Sequence, residues 1–239
     1  MGFQTLLYQA RSVPFTLKAD GWQVGWHAGI AATPWLGSYI SLSYFSYQNA
    51  HLSGEATVVG PSGISASGEA TGSVIRPEMV RLGVFQALNE RFGLLGQLSY
   101  VHWSDFTSIV ANLPSSVSAQ LRGTTQLQLP LFYRNVWITE FGARQVINKV
   151  TMVGLVRYAQ TPVNSIYRDI SLPENNAWSS TIRGEYAITD HFSAFGRWSH
   201  VFQFDAPIAP PPNTPARPTL IATASPWVDT VAVGVTYKG

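Results

Sequence analysis

The sequence predicts an all-β protein whose antiparallel strands form a transmembrane barrel, and three observations indicate this. Apolar and polar side chains alternate over long stretches, the segments between these stretches are alternately short and long, and charged residues are scarce. Charged residues make up 12% of the chain, whereas a soluble domain has roughly 25%. We therefore expect many side chains of this 239-residue chain to face an environment other than water.

Alternation with a period of two residues, interrupted by Gly, Pro, Asn and Asp, predicts nine strands. Each is about as long as the ~9–11 residues that a tilted strand needs to cross a bilayer. Because barrels of this kind have an even number of strands, either Phe3–Ser12 belongs to a tenth strand or upstream strands are missing. Phe3–Ser12 alternates poorly and Pro14 follows it, so we favour missing strands over a strand there. The nine predicted strands are Leu17–Thr33, Ser38–Asn49, Glu78–Leu88, Leu94–Trp103, Val136–Val146, Val150–Gln160, Ser179–Ile188, Ser193–Phe204 and Thr230–Lys238.

The connections alternate in length along the whole chain. Four are tight turns: Pro34–Gly37, Asn89–Gly93, Ile147–Lys149 and Thr189–His191. Four are long: His51–Pro77, Ser104–Asn135, Thr161–Trp178 and Asp205–Asp229. In outer-membrane barrels the short turns lie on the periplasmic side and the long loops on the outside, so this alternation favours such a barrel.

Alternation by itself leaves a second architecture open, a soluble calycin-like barrel that binds a hydrophobic ligand. The two differ in which face is apolar, because a soluble barrel turns its apolar side chains inward and a membrane barrel turns them toward lipid. Aromatic residues near the strand ends favour the membrane, since they collect at the headgroup level. They are Trp22, Tyr39, Trp103, Trp137, Tyr158, Trp178, Trp227 and Tyr237.

The composition excludes several classes of function. No apolar run approaches the ~18 residues of a membrane helix, and a net charge of +2 without a basic stripe argues against nucleic acid as a partner. The absence of cysteine excludes disulfides and thiolate catalysis. The five histidines are dispersed, so we expect no metal, no cofactor and no catalytic residue, which argues against an outer-membrane enzyme.

Two of the long connections have features of their own. The pentapeptide SGEAT occurs at Ser53–Thr57 and at Ser67–Thr71, on either side of a Gly-Pro-Ser-Gly turn, which predicts a hairpin that projects beyond the membrane. Ala206–Pro218 is rich in proline and predicts a stiff surface loop.

Three segments resemble one family. These segments are Leu17–Ser46, Arg76–Phe106 and Tyr158–Asn176. They are similar, in this order, to a strand–turn–strand segment, a strand that begins with Pro-Glu and a loop with Pro-Val in the FadL-type outer-membrane transporters of long-chain fatty acids and aromatic hydrocarbons. The resemblance covers about Leu17 to Gly239. It implies an antiparallel transmembrane β-barrel in the bacterial outer membrane, with a monomeric protein and passive transport through the lumen.

The resemblance also implies what this chain lacks. A family member has a 14-stranded barrel closed by an N-terminal hatch, whereas we find about 9–10 strands and no hatch. We therefore expect residues 1–239 to be one barrel domain that is truncated at its N-terminus. The expected partners are outer-membrane lipid and a hydrophobic small molecule.

The family tends to place a basic residue just before the strand that here begins RNVWITEFG, near the substrate carboxylate. The matching residue is Arg134, and a guanidinium suits the role because it offers a fork of donors. The alternative is an ordinary solvated loop arginine. Aromatic residues of the loops and lumen would contact the apolar part of the substrate: Phe106, Phe132, Tyr133 and Tyr167.

Charged residues also lie inside the predicted strands, on the face opposite the apolar one. We interpret them as a ladder that fills and rigidifies the lumen, with a substrate path as the second interpretation. They are Arg81, Glu140, Arg144, Arg157, Arg183, Glu185 and Arg197.

Overall fold

The computed structural model describes residues 4–7, 15–59, 63, 65–121, 123–165, 168, 174–208 and 222–237. The chain divides into two compact units. The first comprises Met1–Trp26, Ser46–Glu78 and Asp105–Phe132, and the second comprises His27–Phe45, Met79–Ser104 and Tyr133–Gly239.

The described residues form seventeen strands and one short helix. In chain order they are β1 (Gln4–Leu7), β2 (Phe15–Trp22), β3 (His27–Ala32), β4 (Ser38–Phe45), β5 (Gln48–Val59), β6 (Ser65–Arg76), β7 (Met79–Ala87), β8 (Phe92–Val101), β9 (Ser108–Asn112), α1 (Ser115–Gln120), β10 (Gln126–Pro130), β11 (Val136–Ile147), β12 (Val150–Ala159), β13 (Ala177–Ala187), β14 (Phe192–Gln203), β15 (Ala206–Ile208), β16 (Ala222–Ala224) and β17 (Trp227–Tyr237).

The second unit contains a nine-stranded sheet in the order β17-β14-β13-β12-β11-β8-β7-β4-β3. Every neighbouring pair in it is antiparallel, as predicted. The four tight turns are confirmed, and the one between β11 and β12 places Asn148 at a φ of 53°, a left-handed conformation that asparagine tolerates better than most residues. Short turns and antiparallel pairing together define the register of this sheet.

The two faces of this sheet differ in chemistry. We call the face that carries Ile182 the apolar face and the one that carries Arg183 the polar face. Apolar side chains on the first are open to the surroundings: Val233 is 81% exposed, Phe141 68% and Ile182 49%. A soluble barrel would bury these side chains in its centre, so the structure contradicts the calycin-like alternative and agrees with a lipid-facing surface.

Aromatic side chains form a row on the apolar face at the end of the sheet near the long connections. The rings of Tyr100 and Trp137 lie 4.8 Å apart, and those of Tyr158 and Trp178 lie 5.0 Å apart. The register continues the row from Trp178 through Phe202 to Trp227. This arrangement is typical of the aromatic girdle at a membrane interface.

A second aromatic group lies at the other end of β17, where the ring centroids of Phe192 and Tyr237 are 5.1 Å apart. Trp227 and Tyr237 are ten residues apart on this strand. At ~3.3 Å per residue and a tilt of ~40°, that separation spans about 25 Å across the membrane. The value matches the ~25 Å height of the apolar band in outer-membrane barrels.

The first unit contains a six-stranded sheet in the order β1-β2-β5-β6-β9-β10. Its β5–β6 hairpin confirms the pairing expected of the SGEAT repeats, because Ser53 pairs with Thr71 and Thr57 with Ser67. A small apolar core includes one residue of α1 and consists of Phe15, Leu17, Ala56, Val58, Ala70, Ala111 and Val117.

Some predicted boundaries are wrong. The predicted strand Leu17–Thr33 is two strands, β2 and β3, which belong to different sheets. Between β2 and β3, the backbone of Trp26 is hydrogen-bonded to Ser46, because the Ser46 amide donates to the Trp26 carbonyl at 3.0 Å. A hydrophobic period of two cannot distinguish a continuous strand from an extended segment that changes its hydrogen-bonding partner.

The long connections also contain more structure than we predicted. Three of them include strands: β5 and β6, β9 and β10, and β15 and β16. Gln4–Leu7 forms β1, which pairs with β2, so the expectation of no strand in Phe3–Ser12 is wrong for these four residues. Most of the Pro-rich segment Ala206–Pro218 lies outside the described residues. Among the residues that the structure describes, no helix is long or apolar enough to span a bilayer.

A charged side chain on the apolar face should interfere with insertion, and Ile182 lies midway between the aromatic positions Trp178 and Tyr186. We expect Ile182→Arg in the full-length protein to lower the free energy of unfolding in lipid vesicles by about 2–4 kcal/mol. Thr181→Arg places the same charge on the polar face and is the control, with an expected loss nearer ~1 kcal/mol because Thr181 and Ser199 share a hydrogen bond. Equal losses for the two variants would contradict the assignment of the faces.

Candidate functional site

The seven charged residues of the predicted ladder all lie on the polar face of the nine-stranded sheet. Cross-strand partners share a face, and the register relates Glu140 to Arg157 and Arg183 to Arg197 directly. Arg81 shares the face through its partner Ser99. Five of the seven are arginines and two are glutamates, so this face carries an excess of positive charge.

Arg183 is the best satisfied of these arginines. Its Nη2 donates to Oε2 of Glu185 at 2.9 Å, and its Cζ lies 4.6 Å from the centroid of the Phe195 ring. Glu185 also accepts a hydrogen bond of 2.7 Å from the Ser193 hydroxyl through Oε1. Arg183, Glu185, Ser193 and Phe195 thus form one local cluster of contacts.

Arg197 faces Arg183 across the β13–β14 pair, where like charges are unfavourable. Its Nε donates to Oγ of Ser199 at 3.0 Å, and that oxygen lies 2.9 Å from Oγ1 of Thr181. The acceptor of Arg197 Nε is therefore a neutral hydroxyl and not a carboxylate. The charge of this arginine adds to the positive potential of the polar face.

The apolar face of the described strands carries one carboxylate, Asp229 on β17, near the aromatic row. Nε1 of Trp198 donates to Oδ1 of Asp229 at 3.0 Å, and Nδ1 of His200 lies 3.0 Å from the same oxygen. The His200 ring also stacks near the rings of Trp198 and Trp227. These contacts satisfy the carboxylate locally, as a membrane interface requires.

The loop residues predicted to bind substrate are divided between the units. Phe106 and Phe132 belong to the first unit, whereas Tyr133 and Arg134 belong to the second. Tyr167 lies outside the described residues. Phe106 is only 7% exposed, whereas Phe132 is 46% exposed and has a φ of 44°. An aromatic residue held in this strained left-handed conformation is more common at functional sites than elsewhere.

Arg134 lies just before β11 and is tied to the connection that follows β12. Its Nε donates to the carbonyl of Thr161 at 3.2 Å, and its backbone amide donates to the carbonyl of Pro162 at 3.0 Å. The side chain is exposed. Its terminal amino groups have no hydrogen-bond partner among the residues that the structure describes, so they are available to an anion.

Arg168 is a charged residue that the sequence analysis missed. It is only 4% exposed, and its Nη1 donates to the carbonyl of Pro207 at 3.3 Å. Burial lowers the pKa of its guanidinium below the ordinary value, and the positive charge of Arg134 lowers this pKa further. A lone arginine in a loop sequence has no periodicity, so no sequence pattern could indicate its burial.

The first unit contains a cavity of about 50 Å³. Its lining includes Leu17, Leu52 and Val110. A cavity known to hold benzene has ~150 Å³, about three times the volume of this one. No cluster of three or more potential metal ligands occurs among the described residues.

Comparison with known proteins agrees with this geometry. The profile of the family described as "Outer membrane protein transport protein (OMPP1/FadL/TodX)" matches residues 5–238. The chain belongs to this family. The family description places the protein in the bacterial outer membrane, and it confirms the resemblance seen in the sequence.

Solved structures show the same fold as this family member. A FadL homologue of Pseudomonas aeruginosa superimposes with a TM-score of 0.78 at 18% identity, covering 94% of this chain and 54% of that chain. The toluene transporter TodX of Pseudomonas putida gives 0.68 at 18% identity, covering 94% and 52%. A TodX deletion mutant described as a monoaromatic hydrocarbon channel gives 0.69 at 17% identity, covering 95% and 54%.

This member of the FadL/TodX family spans about half the length of these solved structures. Its fold, which includes the nine-stranded antiparallel sheet, matches about half of each of these structures. None of the curated proteins compared with the chain matches it.

The ion pair of Arg183 and Glu185 should be partly screened by solvent, since the two side chains are 42% and 23% exposed. A double-mutant cycle with Arg183→Met and Glu185→Gln should therefore give a coupling energy below about 1 kcal/mol. The measurement is the free energy of unfolding of the full-length protein in lipid vesicles. A coupling energy several times larger would show that the pair is the main support of this face.

Proposed function

We propose that the full-length protein carries apolar small molecules with a carboxylate head, such as fatty acids, passively across the outer membrane. The observation that supports this substrate class is the composition of the polar face, where five arginines lie among only two glutamates. In a membrane barrel this face lines the lumen, and lumen residues tune selectivity. An uncompensated positive potential attracts an anion and gives a neutral hydrocarbon no comparable advantage.

The proposed entry point is Arg134, with its terminal amino groups directed at the carboxylate. The positive charge of Arg134 also lowers the pKa of the buried Arg168 guanidinium, so two cations interact here, which supports a local preference for anions. Phe132, Tyr133, Phe106 and Tyr167 are the proposed contacts for the apolar part of the substrate. Of these, the exposed ring of Phe132 and the Tyr133 ring, which packs edge-on to Trp103 at 5.5 Å, are the best placed within their units.

The proposed mechanism involves no covalent step. A substrate would enter at the loop side and exchange its hydration water for contacts with the aromatic side chains. It would then pass along the arginines of the polar face and move down its concentration gradient. We propose that the protein acts as a monomer without a cofactor, with outer-membrane lipid covering the apolar face. Transport of neutral aromatic hydrocarbons is the second candidate, because the toluene transporter TodX has the same fold.

Uptake into vesicles separates the two substrate classes. Full-length protein in lipid vesicles should accelerate the entry of decanoate more than the entry of toluene, because decanoate carries the carboxylate that the arginines favour. Protein-free vesicles give the background rate for each compound. Faster entry of toluene with no effect on decanoate would favour the hydrocarbon candidate.

Arg134 can be tested in the same assay. Arg134→Met should weaken the apparent affinity for decanoate roughly tenfold, since a hydrogen bond to a charged group contributes about 1.5 kcal/mol or more, and should leave decanol unaffected. Arg91→Met is the matched control, because Arg91 lies in the tight turn between β7 and β8 at the opposite end of the strands. An equal effect of the two substitutions would mean that Arg134 has no specific role.

A further inference from the structure

Asn176, the residue just before β13, connects segments of the second unit that are far apart in the sequence. Its Oδ1 accepts a hydrogen bond of 2.9 Å from the backbone amide of Thr161, and its Nδ2 donates to the hydroxyl of Tyr158 at 2.9 Å. Its backbone carbonyl accepts a hydrogen bond of 2.9 Å from the amide of Phe204. One residue thus contacts the end of β12, the connection that follows β12 and the residue that follows β14.

The Thr161 amide belongs to the turn that holds Arg134. Thr161 is 3% exposed, and its hydroxyl oxygen accepts a hydrogen bond of 3.2 Å from the amide of Val163. The carbonyls of Thr161 and Pro162 are the acceptors for the Nε and the backbone amide of Arg134. A shift of this turn would therefore move both groups to which Arg134 is attached.

A side-chain amide suits the position of Asn176 because it carries an acceptor and a donor in one plane. The acceptor pairs the buried Thr161 amide, which would otherwise lack a partner and favour another conformation of the turn. The donor reaches Tyr158, whose ring lies 5.0 Å from that of Trp178 in the aromatic row of the sheet. The amide of Asn176 therefore attaches the turn to the regular part of the nine-stranded sheet.

Arg134 needs such support because its side chain is exposed. An exposed arginine has many rotamers, and a ligand that selects one of them must offset the lost conformational entropy. A contact that fixes the Nε before the ligand arrives reduces this loss and leaves the terminal amino groups free to bind. The contact at Nε depends on the position of the Thr161 carbonyl, and Asn176 binds the amide of the same residue.

We propose that Asn176 is a positioning residue for Arg134 and thereby sets the preference of the protein for an acid over the corresponding alcohol. The inference rests on the proposed function, in which Arg134 binds the carboxylate of the substrate. Asn176 does not contact the substrate in this proposal. It acts through the turn of Thr161, Pro162 and Val163, so its removal should affect only ligands that use the guanidinium.

Calorimetric titration of the full-length protein with decanoate and with decanol tests this role. Asn176→Leu keeps the size of the side chain and removes both of its hydrogen bonds. It should weaken decanoate binding roughly threefold, because the guanidinium must then be ordered on binding, and leave decanol binding unchanged. Asn89→Leu is the matched control: Asn89 accepts hydrogen bonds from the amides of Arg91 and Phe92 in the tight turn at the opposite end of the strands. This control should change neither affinity.

A double-mutant cycle separates positioning from a general loss of structure. Arg134→Met alone should weaken decanoate binding roughly tenfold. Asn176→Leu should add no further loss in the Arg134→Met background, because no guanidinium is then left to position. The same threefold loss in both backgrounds would mean that Asn176 acts independently of Arg134, and it would overturn the inference.

Two further results would also overturn it. They are an unchanged ratio of decanoate to decanol affinity in Asn176→Leu and an equal change of this ratio in Asn89→Leu. If Asn176→Leu does not assemble, Asn176→Ala decides by the same ratio and the same cycle. Failure of the proposed function is distinguishable, because Arg134→Met would then leave decanoate binding unchanged, and this inference would be wrong with it.

Discussion

The constraint on which the rest of this structure depends is that a bilayer offers no hydrogen bonds. A chain that crosses it must satisfy each backbone amide and carbonyl internally, and antiparallel strands do so by pairing with their neighbours. The nine-stranded sheet meets this condition through continuous ladders such as that of Val150–Ala159 with Ala177–Ala187. Its side chains must then divide between lipid on one side and a polar interior on the other, and this division determines everything else described here.

The consequence on the lipid side is an apolar surface with defined upper and lower limits. Aromatic rings mark both limits, and the one carboxylate on this face of the described strands, Asp229, lies beside His200 and accepts a hydrogen bond from Nε1 of Trp198. The same constraint explains why charged residues are scarce in this chain. A strand that alternates between lipid and lumen can place charged residues on only one of its faces.

The consequence on the other side is a concentration of arginine. Few acids accompany the arginines, and the contacts differ from one arginine to the next: Arg183 has a carboxylate, Arg197 a hydroxyl, and Arg81 mainly a ring and a thioether. A face that served only to fill space would be expected to pair its charges, because unpaired buried cations are costly. The unequal satisfaction of these side chains is the feature of the fold that supports the proposed anionic substrate.

The sequence by itself determined the membrane-spanning part of this protein. Period-two alternation around Ile182 and Arg183 and tight turns such as the one at Asn148 were sufficient to predict it, because strand faces and short turns depend on local chemistry. Tertiary structure decided what depends on partners distant in the chain. It separated Leu17–Thr33 into strands of two sheets, it buried Arg168 against the carbonyl of Pro207, and it placed Ser99 opposite Arg81. Burial and cross-strand neighbours arise only when the register is set, so no reading of single segments could supply them.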